Sequence, residues 1–118
     1  MDCIEQVDLI KGDFIKCRKL LSAIGDETRQ NIITVLLGNC TGLRVGEITA
    51  KTHLSRPAVS HHMKILLDCG LVVVDKQGTK NFYYLNVGEE FRSLFSLVVH
   101  IAQFKEAMDA GLLDGECA

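Results

Sequence analysis

The sequence predicts a mainly α-helical protein with one β-hairpin, in which five helices and two antiparallel strands form a single domain over residues 1–118. Two observations lead to this prediction. Apolar residues recur every three or four positions along most of the chain, which is typical of amphipathic helices. Residues 71–86 differ, because two runs rich in β-branched and aromatic residues flank a turn that contains glycine, which is typical of a hairpin.

The first third of the chain predicts two helices. Apolar residues from Ile4 to Ile24 keep the helical spacing throughout, so one continuous first helix is predicted over about residues 4–24. Gly25 ends it, and Asp26 can cap the next helix, which reads ETRQNIITVLLG and leads into the loop GNCTG.

Residues from about 45 to 69 predict two helices joined by a tight turn. The first helix reads VGEITAKT, the turn reads HLS, and Ser55 is placed to cap the second helix, which begins RPAVSHHMK and stops at Gly70. Pro57 is the only proline in the chain. It is tolerated at the second helical position, because an N–H there would have no helical partner.

The hairpin and one long helix complete the chain. LVVVDK and NFYYLN are the predicted strands, with QGTK as the turn. The last helix is predicted over about residues 89–112, with Glu89 and Glu90 at its positive end and apolar side chains around most of its circumference. We expect one apolar stripe to pack inside the subunit and the other against a second subunit, with a central core helix as the alternative. The first stripe is Phe91, Leu94, Val98 and Ile101, and the second is Leu97 and Phe104.

The distribution of charge favours a polyanionic partner. The net charge is −2, which by itself argues against binding to nucleic acid. Residues 44–86, however, hold six basic and three acidic side chains and so carry +3, together with three of the four histidines. A basic middle segment in an acidic chain allows a small domain to present one face to a polyanion.

The adjacent pair His61 and His62 does not predict a metal site or a catalytic site. Neighbouring residues on a helix point about 100° apart, so the two rings cannot easily bind one metal ion. Ser60 diverges from His61 for the same reason, and no motif such as Gly-x-Ser-x-Gly occurs. We therefore predict no enzymatic activity and no catalytic residue. His62 lies toward the apolar seam and is predicted to be packed and hydrogen-bonded, whereas His61 faces outward.

The outward face of this helix suits DNA. Arg can bind guanine through two hydrogen bonds, Ser and His can donate to base edges or phosphates, and Lys can neutralise a phosphate. Helix N-termini also attract phosphate. An ordinary solvated face is the alternative, but the preceding helix and turn and the following hairpin favour DNA binding.

Three segments resemble the ArsR/SmtB family of winged-helix repressors over about residues 18–87: LLSAIGDETRQNIITVLL, LRVGEITAKTHLSRPAVSHHMKILLDCGLV and NFYYLN. The resemblance implies a winged helix-turn-helix, a homodimer packed through the first and last helices, a recognition helix in the major groove of a double-stranded DNA operator, and repression relieved by an inducer. A winged-helix module that binds proteins or ligands and not DNA is the alternative. By residue match the DNA-binding set comprises Ser55, Arg56, Pro57, Ser60, His61, Lys64, Lys76, Gln77, Thr79 and Lys80.

The inducer is left open, because three sensing patterns of the family are incomplete. Arg44 and Gly46 occupy the positions of the Cys-x-Cys ligands found in arsenic- and lead-type members. His100 has no matching partners for the zinc-type site, and Thr34 occupies the position of the persulfide-sensing cysteine.

The five cysteines are odd in number and never closely spaced, which argues against a disulfide framework or a sequence-local zinc site. Cys17 and Cys69 are most simply packing residues. A candidate thiol sensor can still be assembled around a dimer axis from Cys3, Cys17 and Cys117, where it would bind a soft metal ion or oxidise. No other cofactor or metal ligand is predicted, and an organic inducer is the alternative.

A cytoplasmic location is predicted. No apolar run is long enough to span a membrane, and the acidic, amphipathic start MDCIEQVDLIKGDF is unlike a signal peptide. We therefore expect no membrane partner.

Overall fold

A computed structural model describes residues 2–113, with the side chain of Glu90 excepted. The mainly helical fold with one antiparallel hairpin is confirmed. Across residues 2–113, no helix has both the length and the apolar character needed to cross a membrane. The elements are α1 (Cys3–Lys16), α2 (Arg18–Ile24), α3 (Glu27–Leu37), α4 (Val45–Thr52), α5 (Arg56–Asp68), β1 (Val72–Gln77), β2 (Lys80–Leu85) and α6 (Glu89–Asp109).

The prediction of five helices is wrong, because the first helix divides in two at Cys17. The backbone there has φ −103° and ψ 15°, away from α-helical values. Cys17 nevertheless donates to the carbonyl of Asp13 (3.0 Å) and accepts from the N–H of Leu21 (2.8 Å). Cys17 thus remains hydrogen-bonded to both helices, so the apolar spacing stays in phase and conceals the break. Cys17 itself is buried, and α2 beyond it places Leu20 and Ala23 in the core.

The core lies where α2, α3, α4, α5 and the hairpin meet. Ile32 of α3, Ile48 of α4 and Leu66 of α5 are completely buried, as is Leu71 at the entrance to β1. Burying each such side chain contributes on the order of 1.5–3 kcal/mol. This packing fixes the rotation of α5 about its own axis and therefore decides which of its residues reach solvent.

The hairpin is attached to the segment that precedes α4. β1 and β2 pair antiparallel along their whole lengths, and Gly78 in the turn has φ +65°, a conformation that glycine adopts without strain. Leu43 exchanges two backbone hydrogen bonds with Tyr83 of β2, at 3.0 and 2.8 Å. This bridge sets the position of the hairpin relative to α4.

The last helix ends earlier than predicted. α6 stops at Asp109 and not near residue 112, because Gly111 follows in the left-handed conformation with φ +70°, a common way for an α-helix to end.

α6 presents one apolar stripe to the subunit and another to solvent. Leu97 is buried and Phe104 is half-buried, so the stripe that contains them faces inward. The sequence predicts Phe91 and Leu94 in the opposite stripe. They are half-buried against the core, because they lie near the start of the helix. The residues that remain exposed, the outer stripe of α6, are Phe95, Val98, Val99 and Ile101.

A carboxylate of α1 is bonded to α6. Asp13 is only 6% exposed, and its two oxygens accept hydrogen bonds from Ser96 Oγ (2.8 Å) and His100 Nδ1 (2.5 Å). Burial acts to raise the pKa of Asp13, but the hydrogen bonds from His100 and Ser96, together with the attraction of His100 and Lys16, outweigh it. The pKa of Asp13 therefore lies below its ordinary value of 3.8.

We predict that this contact makes stability depend on pH in the acid range. A carboxyl whose pKa is lowered by folding stabilises the folded state at pH values above its ordinary pKa of 3.8. That contribution is lost as the pH falls through the folded-state pKa. Asp13→Asn should lower the free energy of unfolding at pH 7 by about 1–3 kcal/mol. The same variant should flatten the loss of stability below about pH 4.

The measurement is urea unfolding at a series of pH values. Asp8→Asn, which removes an exposed carboxyl from the same helix, is the matched control and should follow the wild type. If the free energy of unfolding falls as steeply with decreasing pH in Asp13→Asn as in the wild type, the assignment is contradicted.

Candidate nucleic-acid interface

α5 has one buried face and one exposed face. Val59, Met63 and Leu66 are buried, whereas Ser60 and Lys64 are exposed on the other side. The helix begins as predicted, since Ser55 accepts a hydrogen bond from the N–H of Ala58 (3.2 Å) and proline follows in the first turn. All ten residues of the predicted DNA-binding set are exposed.

The turn that leads into α5 is short because His53 adopts a left-handed conformation. Its φ is +58°, which is uncommon for a residue other than glycine, and it closes α4 through a hydrogen bond from its N–H to the carbonyl of Thr49 (3.0 Å). At the other end of α4, the Glu47 side chain accepts from the N–H of Arg44 (3.1 Å). α4 is therefore closed at both ends, and it holds the start of α5 beside it.

One cleft joins the start of α5 to the hairpin. It has a volume of about 530 Å³.

 Arg56 and Ser60 of α5 and Thr79 of the hairpin turn line this cleft together, so the structure brings these three members of the predicted set into one place. The other members lie outside the cleft lining, on the exposed surface of α5 and the hairpin.

Further polar residues outside the predicted DNA-binding set line this cleft, namely Arg44, Glu47, Asn81 and Tyr83. Arg44 reaches it from the start of α4, and Asn81 reaches it from β2. A signal for Asn81 was available, because it is the first residue of the predicted strand NFYYLN and directly follows the turn that contains Thr79. Gly46 also matters here, since a Cβ at that position would lie 3.1 Å from Nη2 of Arg56 and would displace this side chain.

The hairpin turn carries the remaining basic residues. Lys76 stands opposite Asn81 in the strand register, and Gln77 stands opposite Lys80. Gln77 donates from Nε2 to the Asp75 carboxylate (3.0 Å), whereas Lys76 and Lys80 make no ion pair within the described part of the chain. Both ammonium groups therefore remain available for a phosphate.

The two adjacent histidines occupy different environments, as predicted. His61 is exposed and His62 is half-buried, with the two rings edge to face at 5.2 Å. Nη1 of Arg29 lies 3.2 Å from Nδ1 of His62, and because a guanidinium can only donate, Nδ1 is the acceptor. Arg29 also donates to the carbonyls of Ala23 (2.7 Å) and Ser22 (3.3 Å), so it links α5 to the end of α2.

Neither a metal centre nor the thiol site is assembled in the described part of one chain. Residues 2–113 contain no group of three or more His, Cys, Asp or Glu side chains that could hold a metal ion. Cys3 and Cys17 lie at opposite ends of the Cys3–Lys16 helix, about 21 Å apart at the rise of an α-helix. Cys17 is a buried free thiol, and Cys117 lies outside the described residues.

We predict that the two histidines respond oppositely to substitution. His61→Ala should weaken DNA binding by about 1–3 kcal/mol if the ring reads a base, with little change in stability. His62→Ala should lower the free energy of unfolding by about 1–2 kcal/mol, because it removes the acceptor of Arg29 and opens the packing between α5 and α3.

Thermal unfolding and a DNA mobility shift on the same two preparations provide the measurement, and each variant is the control for the other. A stable His62→Ala protein together with an unstable His61→Ala protein would show that the assigned rotation of α5 is wrong.

The sequence matches the family described as bacterial regulatory protein, arsR family, over residues 26–74. An uncharacterised HTH-type transcriptional regulator of Methanocaldococcus jannaschii is 35% identical over 83 residues, which cover 70% of this chain and 91% of that protein. The arsenical resistance operon repressor of Staphylococcus aureus is 36% identical over 67 residues, 57% of this chain and 62% of the repressor.

The fold has counterparts among solved structures. An ArsR-like transcriptional regulator from Rhodococcus sp. RHA1 superposes with a TM-score of 0.71 at 25% identity, covering 84% of this chain and 92% of that one. The chain therefore belongs to the ArsR family of bacterial regulatory proteins.

Proposed function

We propose that the protein is a sequence-specific DNA-binding repressor that inserts α5 into the major groove and places the β1–β2 hairpin against the neighbouring backbone. The observation that carries this proposal is the shared cleft, in which Arg56 and Ser60 of α5 meet Thr79 of the hairpin. A recognition helix and a wing that line one polar surface can contact base edges and phosphates at the same time.

The exposed chemistry of this surface supports DNA as the partner. Arg56 can form two hydrogen bonds to guanine, and Lys64, Lys76 and Lys80 can neutralise phosphates along the backbone. Arg44 adds a further positive charge in the cleft. These are five of the six basic side chains in residues 44–86, a segment with a charge of +3 in a chain whose net charge is −2.

We further propose that two copies associate through α1 and α6. The outer stripe of α6 is apolar and exposed, with Val98 at 59% and Phe95 at 55%. On α1, Ile4 (62%), Phe14 (45%) and Ile15 (65%) are also exposed. Exposed apolar groups that follow one face of packed helices are typical of an interface between subunits. A two-fold dimer would present two α5 helices to successive turns of DNA.

An inducer is part of the proposal. Repression is useful to a cell only if it can be relieved, and a ligand relieves it by binding one conformation of the dimer better than the other. A sensor formed by Cys3, Cys17 and Cys117 across the dimer axis, which would respond to a soft metal ion or to oxidation, is one candidate, and an organic molecule is the other.

We predict a palindromic site with half-sites about 34–36 Å apart and affinity that falls steeply with salt. On a site selected from random duplexes, Arg56→Ala should cost about 1–3 kcal/mol and relax the preference at one base pair. Lys80→Ala should weaken binding on every sequence and reduce the salt slope by about 1.

The control is Lys105→Ala, which removes an exposed basic side chain from α6, away from the shared cleft. Mobility-shift assays over a range of salt concentrations, together with footprinting, measure the DNA affinity of the wild type and of the three variants. Binding that is insensitive to salt, or an effect of Lys105→Ala equal to that of Arg56→Ala, would contradict the proposal.

For assembly, we predict that Val98→Asp converts the dimer into a folded monomer, because a buried unpaired carboxylate would cost several kcal/mol at the interface. Gln103→Glu, which adds a charge at an exposed position elsewhere on α6, should remain dimeric. Sedimentation equilibrium at micromolar concentration distinguishes the two outcomes. A monomeric wild type, or a dimeric Val98→Asp protein, would refute this interface.

A further inference from the structure

A second and larger cleft lies at the junction of the ends of four helices. It has a volume of about 750 Å³ and is lined by the end of α1, the start of α2, the end of α5 and the start of α6. None of its lining residues belongs to the cleft between α5 and the hairpin. Its volume falls within the range of about 300–1,000 Å³ that is usual for small-molecule sites.

Basic side chains dominate the unpaired charge of this cleft. Lys16, Arg18, Lys19 and Arg92 all line it. Arg92 pairs with Glu89 at 3.5 Å, but both side chains are largely exposed and such pairs are weak. Lys16, Arg18 and Lys19 make no ion pair within residues 2–113.

Three carboxylates also line the cleft and offset part of this charge. Asp13 already accepts hydrogen bonds from Ser96 and His100. Glu89 is engaged by Arg92, which leaves Asp68 as the carboxylate without an ion pair among the described lining residues. The lining side chains therefore carry four positive and three negative charges, a net charge of +1, in a chain whose net charge is −2.

The break at Cys17 creates this arrangement. In a regular helix, residues two apart in sequence do not face each other, so Lys16 and Arg18 would point to different sides. Both line the cleft in the structure, because α1 ends at Lys16 and α2 begins at Arg18. Ile15 and Leu20 line it as well and supply apolar surface beside the cations.

We propose that this cleft binds a small organic anion, with a carboxylate or phosphate-ester group on an apolar body, and that the bound anion regulates DNA binding. The anionic group would contact Lys16, Arg18 and Lys19, and the apolar body would lie against Ile15 and Leu20. The regulatory part of this inference rests on the proposed function, whereas the binding part does not.

The position of the cleft explains how such a ligand can act at a distance. Asp68 and Cys69, at the end of α5, form part of its wall, as do residues of α1 and α6. A ligand there contacts the recognition helix and the two helices of the proposed dimer interface together. No residue of the outer stripe of α6 lines the cleft, and Ile15 of α1 is the one lining residue that also belongs to the proposed dimer interface, so the cleft borders that interface. A ligand shifts the equilibrium to the extent that it prefers one arrangement of these helices.

Binding is tested first, without DNA, on the ¹⁵N-labelled full-length protein at constant ionic strength. The probes are benzoate, phenyl phosphate, inorganic phosphate and, as the neutral control, benzyl alcohol. Benzoate or phenyl phosphate should shift the amide signals of residues 13–20 and 89–96 with a Kd of about 1 mM or tighter, as fragment-sized ligands do. Benzyl alcohol should not. A response to phenyl phosphate alone identifies a phosphate ester as the ligand class, and a response to benzoate alone identifies a carboxylate.

The variant that tests the site is Lys16→Gln combined with Lys19→Gln, which should weaken binding at least tenfold. Lys11→Gln combined with Lys105→Gln removes the same charge from exposed positions outside the cleft and should bind like the wild type. If the first variant loses its native spectrum, Arg18→Gln replaces it. Absence of shifts in residues 13–20 and 89–96 at about 10 mM of every anionic probe, or equal binding by the two double variants, would overturn the proposal.

Regulation is tested by repeating the operator titration with and without the bound probe. The affinity for DNA should change at least about fivefold in the wild type and not in the cleft variant. An anion that binds the cleft without altering operator affinity would overturn the regulatory role, but the binding part of the proposal would stand. A protein that binds the anion but no DNA would instead refute the proposed function, so the two failures are distinguishable.

Discussion

The burial of one face of α5 is the constraint on which the rest of the molecule depends. Val59, Met63 and Leu66 are packed into the core, and Ile48 of α4 and Leu71 before β1 are buried with them. A helix held in this way cannot rotate without exposing apolar surface, which costs about 25 cal/mol for each Å². The polar side of α5 is therefore presented to solvent at a fixed angle, and the hairpin takes its place beside it through the bridge between Leu43 and Tyr83.

The features that depend on local pattern could be predicted from the sequence. The spacing of apolar residues gave the rotation of α5, and so separated exposed His61 from half-buried His62. Ser55 marked the start of that helix, and the glycine in QGTK marked the turn of the hairpin. In each case the determining interactions join residues close together in the chain, so a pattern of residue types carries enough information.

The features that depend on tertiary contacts could not be predicted in the same way. At the break, Cys17 stays hydrogen-bonded to both α1 and α2, so the apolar period passes through it without a signal. Asp13 and His100 are distant in sequence, and nothing local indicates that they meet. Arg44 and Arg56 come to one cleft only because α4 and α5 fold against each other. Which apolar residues of α6 face inward was likewise decided by the packing of α1.

The central claim is that the exposed face of α5 lies in the major groove. The most direct test is photo-crosslinking to an operator in which 5-bromouracil replaces thymine, because its substituent at C5 projects into that groove. The crosslinked peptide is then identified by mass spectrometry. The account predicts crosslinks within residues 55–64. Crosslinks confined to α1 or α6, with none in α5, would contradict it.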